Sequence, residues 1–294
     1  MEDDAAVIEQ LRAAVDRRLA ELSPERTARP ARLAEAARYA VLSPGKRFRP
    51  MLTLLAAREF GGEPTVALDA GCAFEMVHAA SLILDDLPSM DDAALRRGRA
   101  TTHKAFDEAT AILAAVGLLN QAFGIIAAQD ALPASVRGEL SRRLSEAVGF
   151  EGLVSGQAMD LHDRDRDRTS EDIDLLNHRK TGVLMVAAAE AGALTAGAPS
   201  TSVVAIGQFA RHIGLAFQIH DDLIDAAVIA ETGKDLGKDA GMATLVTVLG
   251  VEGARAAVEG HLEEASAALA RAGADDGLLA RYAFGLFEAR KAAA

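Results

Sequence analysis

Two groups of aspartates stand out from an otherwise apolar, alanine-rich chain. The first is Asp85-Asp86-Leu87-Pro88-Ser89-Met90-Asp91-Asp92, and the second is Asp221-Asp222-Leu223-Ile224-Asp225. Each follows an apolar run, residues 66–84 and 203–219, long enough for a buried helix. In the first run Phe74, His78, Ser81 or Leu82, and Asp85 recur at spacings of three and four. They therefore share one helical face, with Asp85 at its C-terminal end. The helix macrodipole is already negative there, so four carboxylates repel one another and need a cation. Pro88 is expected to end the helix and turn Asp91 and Asp92 back towards Asp85 and Asp86. In the second group Asp221 and Asp225 lie one turn apart, and Gln218 sits one turn before Asp222. Three aspartates in five positions do not serve helix propensity. A solvated acidic patch would account for either group alone, but it accounts poorly for two, each ending an apolar helix.

Ligand sets made only of oxygen suit hard cations. Mg²⁺ is usually held by a few carboxylates, water and substrate phosphates, and such cages tolerate Mn²⁺. Zinc is disfavoured, because no histidine or cysteine joins either group at ligand spacing. The counterpart is a set of cations. Gly45-Lys46-Arg47-Phe48-Arg49-Pro50 opens a helix-like run, where N-terminal amides and basic side chains form an anion site. Arg96-Arg97-Gly98-Arg99 follows the first acidic group. Lys180-Thr181 begins another apolar stretch, and Gly233-Lys234-Asp235-Leu236-Gly237-Lys238 follows the second group. Each basic segment alone reads as a solvated face, and His78 alone as a satisfied core histidine. Together, two carboxylate cages and several cations suggest chemistry on a diphosphate. Metal ions would bridge carboxylates to phosphate oxygens, and Lys or Arg would neutralise the remainder.

The elements that must position these groups are helices. Ser23-Pro24, Ser43-Pro44-Gly45, Gly61-Gly62, Leu132-Pro133 and Ala198-Pro199-Ser200 read as breaks between long Ala- and Leu-rich stretches. No alternating β-branched runs are present, so few or no strands are expected. The spacing predicts an all-α fold: a single large bundle of about ten to twelve helices, one domain over residues 1–294. The segment 162–170 alternates in sign and reads as a solvated loop leading into a helix capped near Ser170.

The 294 residues would allow two average domains or one large one. A hydrophobic share of 50% with 25% charged residues excludes a disordered chain. A net charge of −12 argues against nucleic-acid binding, which needs a positive field. The single cysteine, Cys72, excludes an internal disulfide framework and suits a reducing cytoplasm. The acidic N-terminus lacks the features of a signal peptide. Residues 109–129 carry no charge and are long enough to cross a bilayer. Asn120, Gln121 and the acidic flanks Glu108 and Asp130 favour a buried core helix instead, with a subunit interface as one use of it.

From about residue 35 to 290 the chain resembles the trans-isoprenyl diphosphate synthases, most of all the bacterial short-chain enzymes that make geranylgeranyl diphosphate. HAASLILDDLPSMDDAALRRGRATTH (78–103) carries the family's first aspartate-rich motif with its trailing Arg-Arg-Gly, and FQIHDDLID (217–225) matches the second. The resemblance implies that Gly45, Lys46, Arg49, His78 and Arg97 hold the diphosphate of isopentenyl diphosphate. It implies that Asp85, Asp86, Asp91 and Asp92 bind Mg²⁺ beneath an allylic diphosphate, with Asp221 and Asp225 on the opposite wall. Arg96, Lys180 and Lys234 would contact the allylic diphosphate, while Thr181 and Gln218 line the channel. Gly156-Gln157, with Asp160 after it, matches a motif near the reaction centre. A homodimer is implied as well. Family members that stop at fifteen carbons carry an aromatic residue four or five positions before the first aspartate. Here those positions are the small Ser81 and Ala80, which implies a deeper channel and a twenty-carbon product, and Ala80→Tyr would shift the product towards farnesyl diphosphate. Ala100 replaces a usual proline, the spacing leaves Lys234 and Lys238 competing for one role, and Met242 stands where a lysine is usual. Met242 is the one feature that would suit a non-catalytic modulatory subunit. A terpene cyclase would not need Lys46, Arg49, His78 and Arg97.

Overall fold

The computed structural model describes residues 4–25, 27–162, 168–232 and 244–291, with the side chains of Asp225, 227–232 and 289–291 outside that description. Among the described residues the fold is all-α. They form thirteen α-helices, and their only strands are the two-residue β1 (Leu95–Arg96) and β2 (Arg99–Ala100), paired antiparallel. The chain divides into two compact units, residues 1–145 with 191–197 and residues 146–190 with 198–294.

The first unit holds α1 (Asp4–Leu22), α2 (Ala31–Val41), α3 (Phe48–Glu59), α4 (Pro64–Asp85), the single turn α5 (Thr102–Ala105) and α6 (Glu108–Ala127), and most of α7 (Ala134–Val148). Pro64 starts α4 at the first helical position, where its missing N–H costs nothing. The α4 helix packs against α3 and α6. Phe74, Met76 and Val77 of α4, Met51, Leu52, Leu54 and Leu55 of α3, and Leu118 and Ile126 of α6 are all essentially inaccessible to solvent. Each contributes about 1.5–3 kcal/mol through the apolar surface it removes from water. Asp107 caps α6, its carboxylate accepting from Thr110 N–H at 2.7 Å.

Both α4 and α6 are long and apolar enough to cross a membrane, and α4 is mostly buried within the protein. The expectation of a buried core helix over 109–129 holds for only one face of α6. Ala111, Ala114, Ala115, Leu118, Ala122 and Ile126 are buried, while Ile112, Leu113 and Val116 are exposed. Gln121, the polar residue that argued for a core helix, is engaged. Its Nε2 donates to the Leu22 carbonyl at the end of α1.

The second unit contains α8 (Leu153–His162), α9 (Ser170–Asn177), a π-helical turn (His178–Gly182), the start of α10 (Val183–Thr195), α11 (Ser200–Thr232), α12 (Leu245–Ala272) and α13 (Leu278–Lys291). Its core lies between α11 and α12, with Phe209 of α11 also meeting Phe284 of α13 edge-to-face. The cap of α9 is Thr169, one residue before the expected Ser170. Thr169 and Asp172 exchange side-chain and backbone hydrogen bonds in a capping box.

One expectation is corrected here. The second aspartate group does not end its helix, because α11 runs on as a single element of 33 residues through Asp221, Asp222 and Asp225. Aspartate costs at most about 0.7 kcal/mol per helical position, and packing of the long α11 against α12 outweighs it.

Candidate active site

The first aspartate group is a turn folded back on a helix end. Asp85 is the last residue of α4 and Asp86 its cap. Pro88 lies beyond the helix, in the turn, instead of ending it. The chain then reverses, so that Asp91 N–H donates to the Asp85 carbonyl at 3.0 Å and Ala93 N–H to the Asp86 carbonyl at 3.1 Å. Asp91 and Asp92 are thereby returned to the end of the helix, as the sequence led us to expect. Arg96, carried on β1, lies against the helix end. Its Nε donates to Asp86 Oδ1 at 2.8 Å, and its Nη2 lies 3.4 Å from Asp85 Oδ2. Burial raises the Asp86 carboxyl above its ordinary value, and Arg96 opposes that shift. Lys104 pairs with Asp92 at 3.6 Å.

Arg97 and Gly98 form the two-residue turn between β1 and β2, both with positive φ (53° and 74°), as a tight hairpin requires. Arg97 Nη1 donates to the Pro44 carbonyl at 2.7 Å. Gly45 makes this possible, since a Cβ there would come within 2.5 Å of that same nitrogen. Arg47 caps α3 with a left-handed backbone (φ 51°) and Arg49 follows it, both buried. A pocket in this unit is lined by Arg47, Glu75, His78, Asp86, Arg96, Arg97 and Arg99. Burial, and then the neighbouring arginines Arg49, Arg97 and Arg96, hold the His78 imidazolium well below its ordinary value, so His78 is neutral. A neutral imidazole among arginines donates one N–H to an anion without adding charge.

In the second unit the π turn presents Lys180 and Thr181. Single π turns inside helices frequently mark functional sites. Lys180 Nζ is 2.7 Å from Asp160 Oδ2, and Asp160 is nearly inaccessible to solvent. Gly156 brings α8 into backbone contact with this turn, since a Cβ there would meet the Lys180 nitrogen at 2.5 Å. Gln218 Nε2 donates to Asp222 Oδ1 at 3.1 Å, one helical turn along. Asp221 and Asp222 are half-buried on α11.

The structure thus brings Lys46, Arg49, His78, Arg96 and Arg97 into the same unit as Asp85, Asp86, Asp91 and Asp92. It brings Lys180, Thr181 and Gln218 into the same unit as Asp221 and Asp222. Lys234, Lys238, Met242 and the Asp225 side chain lie outside the described residues. Ala80 is fully buried and Ser81 half-buried, its Oγ donating to the His78 carbonyl at 2.9 Å. The sequence reading named Arg47 only as a member of a basic run and left out Glu75. A lone acid three residues before His78 in an apolar run was the available signal.

The donor set fits a hard cation. Every acidic ligand is a carboxylate, and no three of them among the described residues converge to hold an ion alone. Carboxylate oxygens are the donors that a hard divalent cation takes, with water and substrate phosphates completing its shell.

Residues 30–276 match the polyprenyl synthetase family. The geranylgeranyl diphosphate synthase of Pseudescherichia vulneris is 47% identical over 261 residues, 88% of this chain and 84% of that protein. The farnesyl diphosphate synthase of Geobacillus stearothermophilus is 42% identical over 261 residues, 87% of this chain and 88% of that protein. Among solved structures, an apo FPP/GFPP synthase from Zymomonas mobilis matches with a TM-score of 0.83 at 36% identity, covering 95% of this chain and 97% of that one. The fold is that of the isoprenyl synthases, and with the site described it defines a trans-prenyltransferase. The chain belongs to the polyprenyl synthetase family.

Proposed function

We propose that this protein, acting as one catalytic domain, condenses isopentenyl diphosphate with allylic diphosphates and ends at geranylgeranyl diphosphate. The observation that carries the reading is the arginine pocket around His78, built beside the carboxylate turn of Asp85, Asp86, Asp91 and Asp92. One set of groups suits a diphosphate anion directly, and the other suits a diphosphate bridged by cations.

Lys46, Arg49, His78 and Arg97 bind the diphosphate of isopentenyl diphosphate and orient its alkene. Arg96, Lys180 and Lys234 or Lys238 neutralise the allylic diphosphate. Asp85, Asp86, Asp91, Asp92, Asp221 and Asp225 would hold Mg²⁺, which when bound offsets charge on the leaving diphosphate. The allylic C–O bond breaks with its electron pair leaving on oxygen, and the alkene of isopentenyl diphosphate attacks the allylic carbon. The resulting cation loses a proton to the departed diphosphate. Thr181 and Gln218 face the developing cation with neutral dipoles, and the enclosing apolar helices exclude the water that would quench it. The same reading includes a cytoplasmic location and a homodimer.

The test is product analysis of purified protein with Mg²⁺, isopentenyl diphosphate and, separately, the five-, ten- and fifteen-carbon allylic diphosphates. A dominant twenty-carbon diphosphate is expected. A fifteen-carbon product would keep the reaction and overturn the assigned length. No condensation with any primer would overturn the catalytic reading and make Met242→Lys the next variant to assay.

A further inference from the structure

The first unit holds an ion-pair chain, Asp16–Arg47–Glu75, that contains no member of the substrate-binding set and acts electrostatically on one, Arg49. Arg47 Nε donates to Asp16 Oδ1 of α1 at 2.7 Å, and its Nη1 donates to Glu75 Oε1 of α4 at 3.1 Å. The Arg47 and Glu75 side chains are each only 6% exposed, whereas Asp16 is half-exposed. The second Glu75 oxygen, Oε2, is buried without a hydrogen-bond partner, and so is Arg49 Nε. Burial lowers the Arg49 guanidinium to about 10, Glu75 is the acid that opposes this, and Arg97 adds to it.

A buried guanidinium with an unmatched donor is costly unless a carboxylate compensates it. Glu75 supplies that carboxylate from one turn below His78. It also ties down Arg47, whose left-handed backbone at the head of α3 sets the direction in which the chain delivers Lys46 and Arg49. A non-glycine residue holds such a conformation only where its surroundings over-determine it, and here two carboxylates grip its side chain.

We propose that Glu75 is a positioning residue. Through Arg47, and by compensating the charge of Arg49, it keeps the basic loop before α3 in the geometry that receives the diphosphate of isopentenyl diphosphate. This rests on the substrate assignment proposed above. It predicts a selective defect, because Glu75 bonds to Arg47 of the basic loop, whereas Arg96 is held by Asp86 and Asp85, and Lys180 by Asp160, on the allylic side.

Glu75→Gln keeps the shape and removes the charge. The KM for isopentenyl diphosphate is expected to rise about tenfold or more, while the KM for the allylic substrate stays within about twofold. Glu75→Asp restores the charge and recovers part of the loss. Asp16→Asn, at the half-exposed end of the chain, produces a smaller rise of the same kind without threatening the core. A second readout is independent of turnover: modification of arginines by phenylglyoxal, mapped by mass spectrometry at a temperature where both proteins are folded. Arg49 is expected to be protected in the wild type and labelled in Glu75→Gln. Equal rises in both KM values, or Arg49 equally protected in both proteins, would overturn the positioning role. A wild type that makes no product would instead overturn the substrate assignment, leaving the labelling to judge whether Glu75 fixes Arg49.

Discussion

Among the described residues, the non-glycine positions with left-handed backbone are Arg47, Asp92 and Arg97, and all three belong to the site. Each costs about 1–3 kcal/mol, which the surrounding fold must supply. That strain was invisible in the sequence, where Arg47 was only a member of a basic run and Arg97 a diphosphate ligand implied by the resemblance. Residue type was legible, and backbone conformation was not. The π turn was equally hidden, and it creates a second consequence. His178 sits in it with Nδ1 buried and unmatched, and burial, helped by Arg211 and Arg179, lowers its ring from 6.5 to about 4. Since the folded value lies below the unfolded one, the unfolded chain takes up a proton below about pH 6.5 that the native state refuses until about pH 4. Stability is therefore full above that window and is lost as the pH falls through it. His78, His212 and His261 are shifted the same way, chiefly by burial. Because the ring is partly open to solvent, His178 contributes about 1 kcal/mol, or about 2–4 °C of melting temperature. Thermal melts at pH 7 and pH 5 should show a smaller acid drop for His178→Gln than for the wild type. Equal drops would mean that His178 does not titrate in that window.

At the scale of elements, the breaks read at proline and glycine fall at five junctions between helices, because those residues act locally whatever the tertiary context. The course of α11 through three aspartates was not legible, since partner packing and not propensity decides it. The two faces of α4 divide similarly. His78, Ala79, Leu82, Ile83 and Asp86 line the arginine pocket, whereas Ala80 and Ser81 point elsewhere on the helix. These two positions bear on product length, and their burial separates them. Ala80 is wholly buried, so a tyrosine there must displace core at a cost of about 1–3 kcal/mol, which mixes stability with specificity. Ser81 is half-buried and gives up only a hydrogen bond to the His78 carbonyl. Ser81→Phe is therefore the sharper variant. Its main product should move from twenty to fifteen carbons, with total turnover reduced by less than about tenfold. An unchanged twenty-carbon product would show that this part of α4 does not limit chain growth.

For the whole molecule, the question is what covers the outer face of α6. Its 20 residues carry one charge, Glu108, and Ile112, Leu113 and Val116 are 42–57% exposed on one stripe of the helix. The sequence marked this segment as apolar but could not divide it into a face that packs on α2 and α4 and a face that is exposed among the described residues. Hydropathy reports composition, while the split comes from the small residues Ala111, Ala114 and Ala115, which let neighbouring helices approach on one side only. Fully burying three such side chains would contribute about 1.5–3 kcal/mol each, enough to matter in self-association. A homodimer closing over this stripe would have twice the 30.7 kDa mass of the chain. Light scattering coupled to size exclusion should give that mass for the wild type. Leu113→Glu places an unpaired charge in the proposed interface and should weaken the dimer on the order of 100-fold, so that monomer dominates at micromolar concentration. Because Leu113 is exposed in the isolated chain, the variant should keep its helical content and melting temperature as a monomer. A Leu113→Glu protein that stays dimeric would move the interface off α6, and a monomeric wild type would remove the dimer from the proposal altogether.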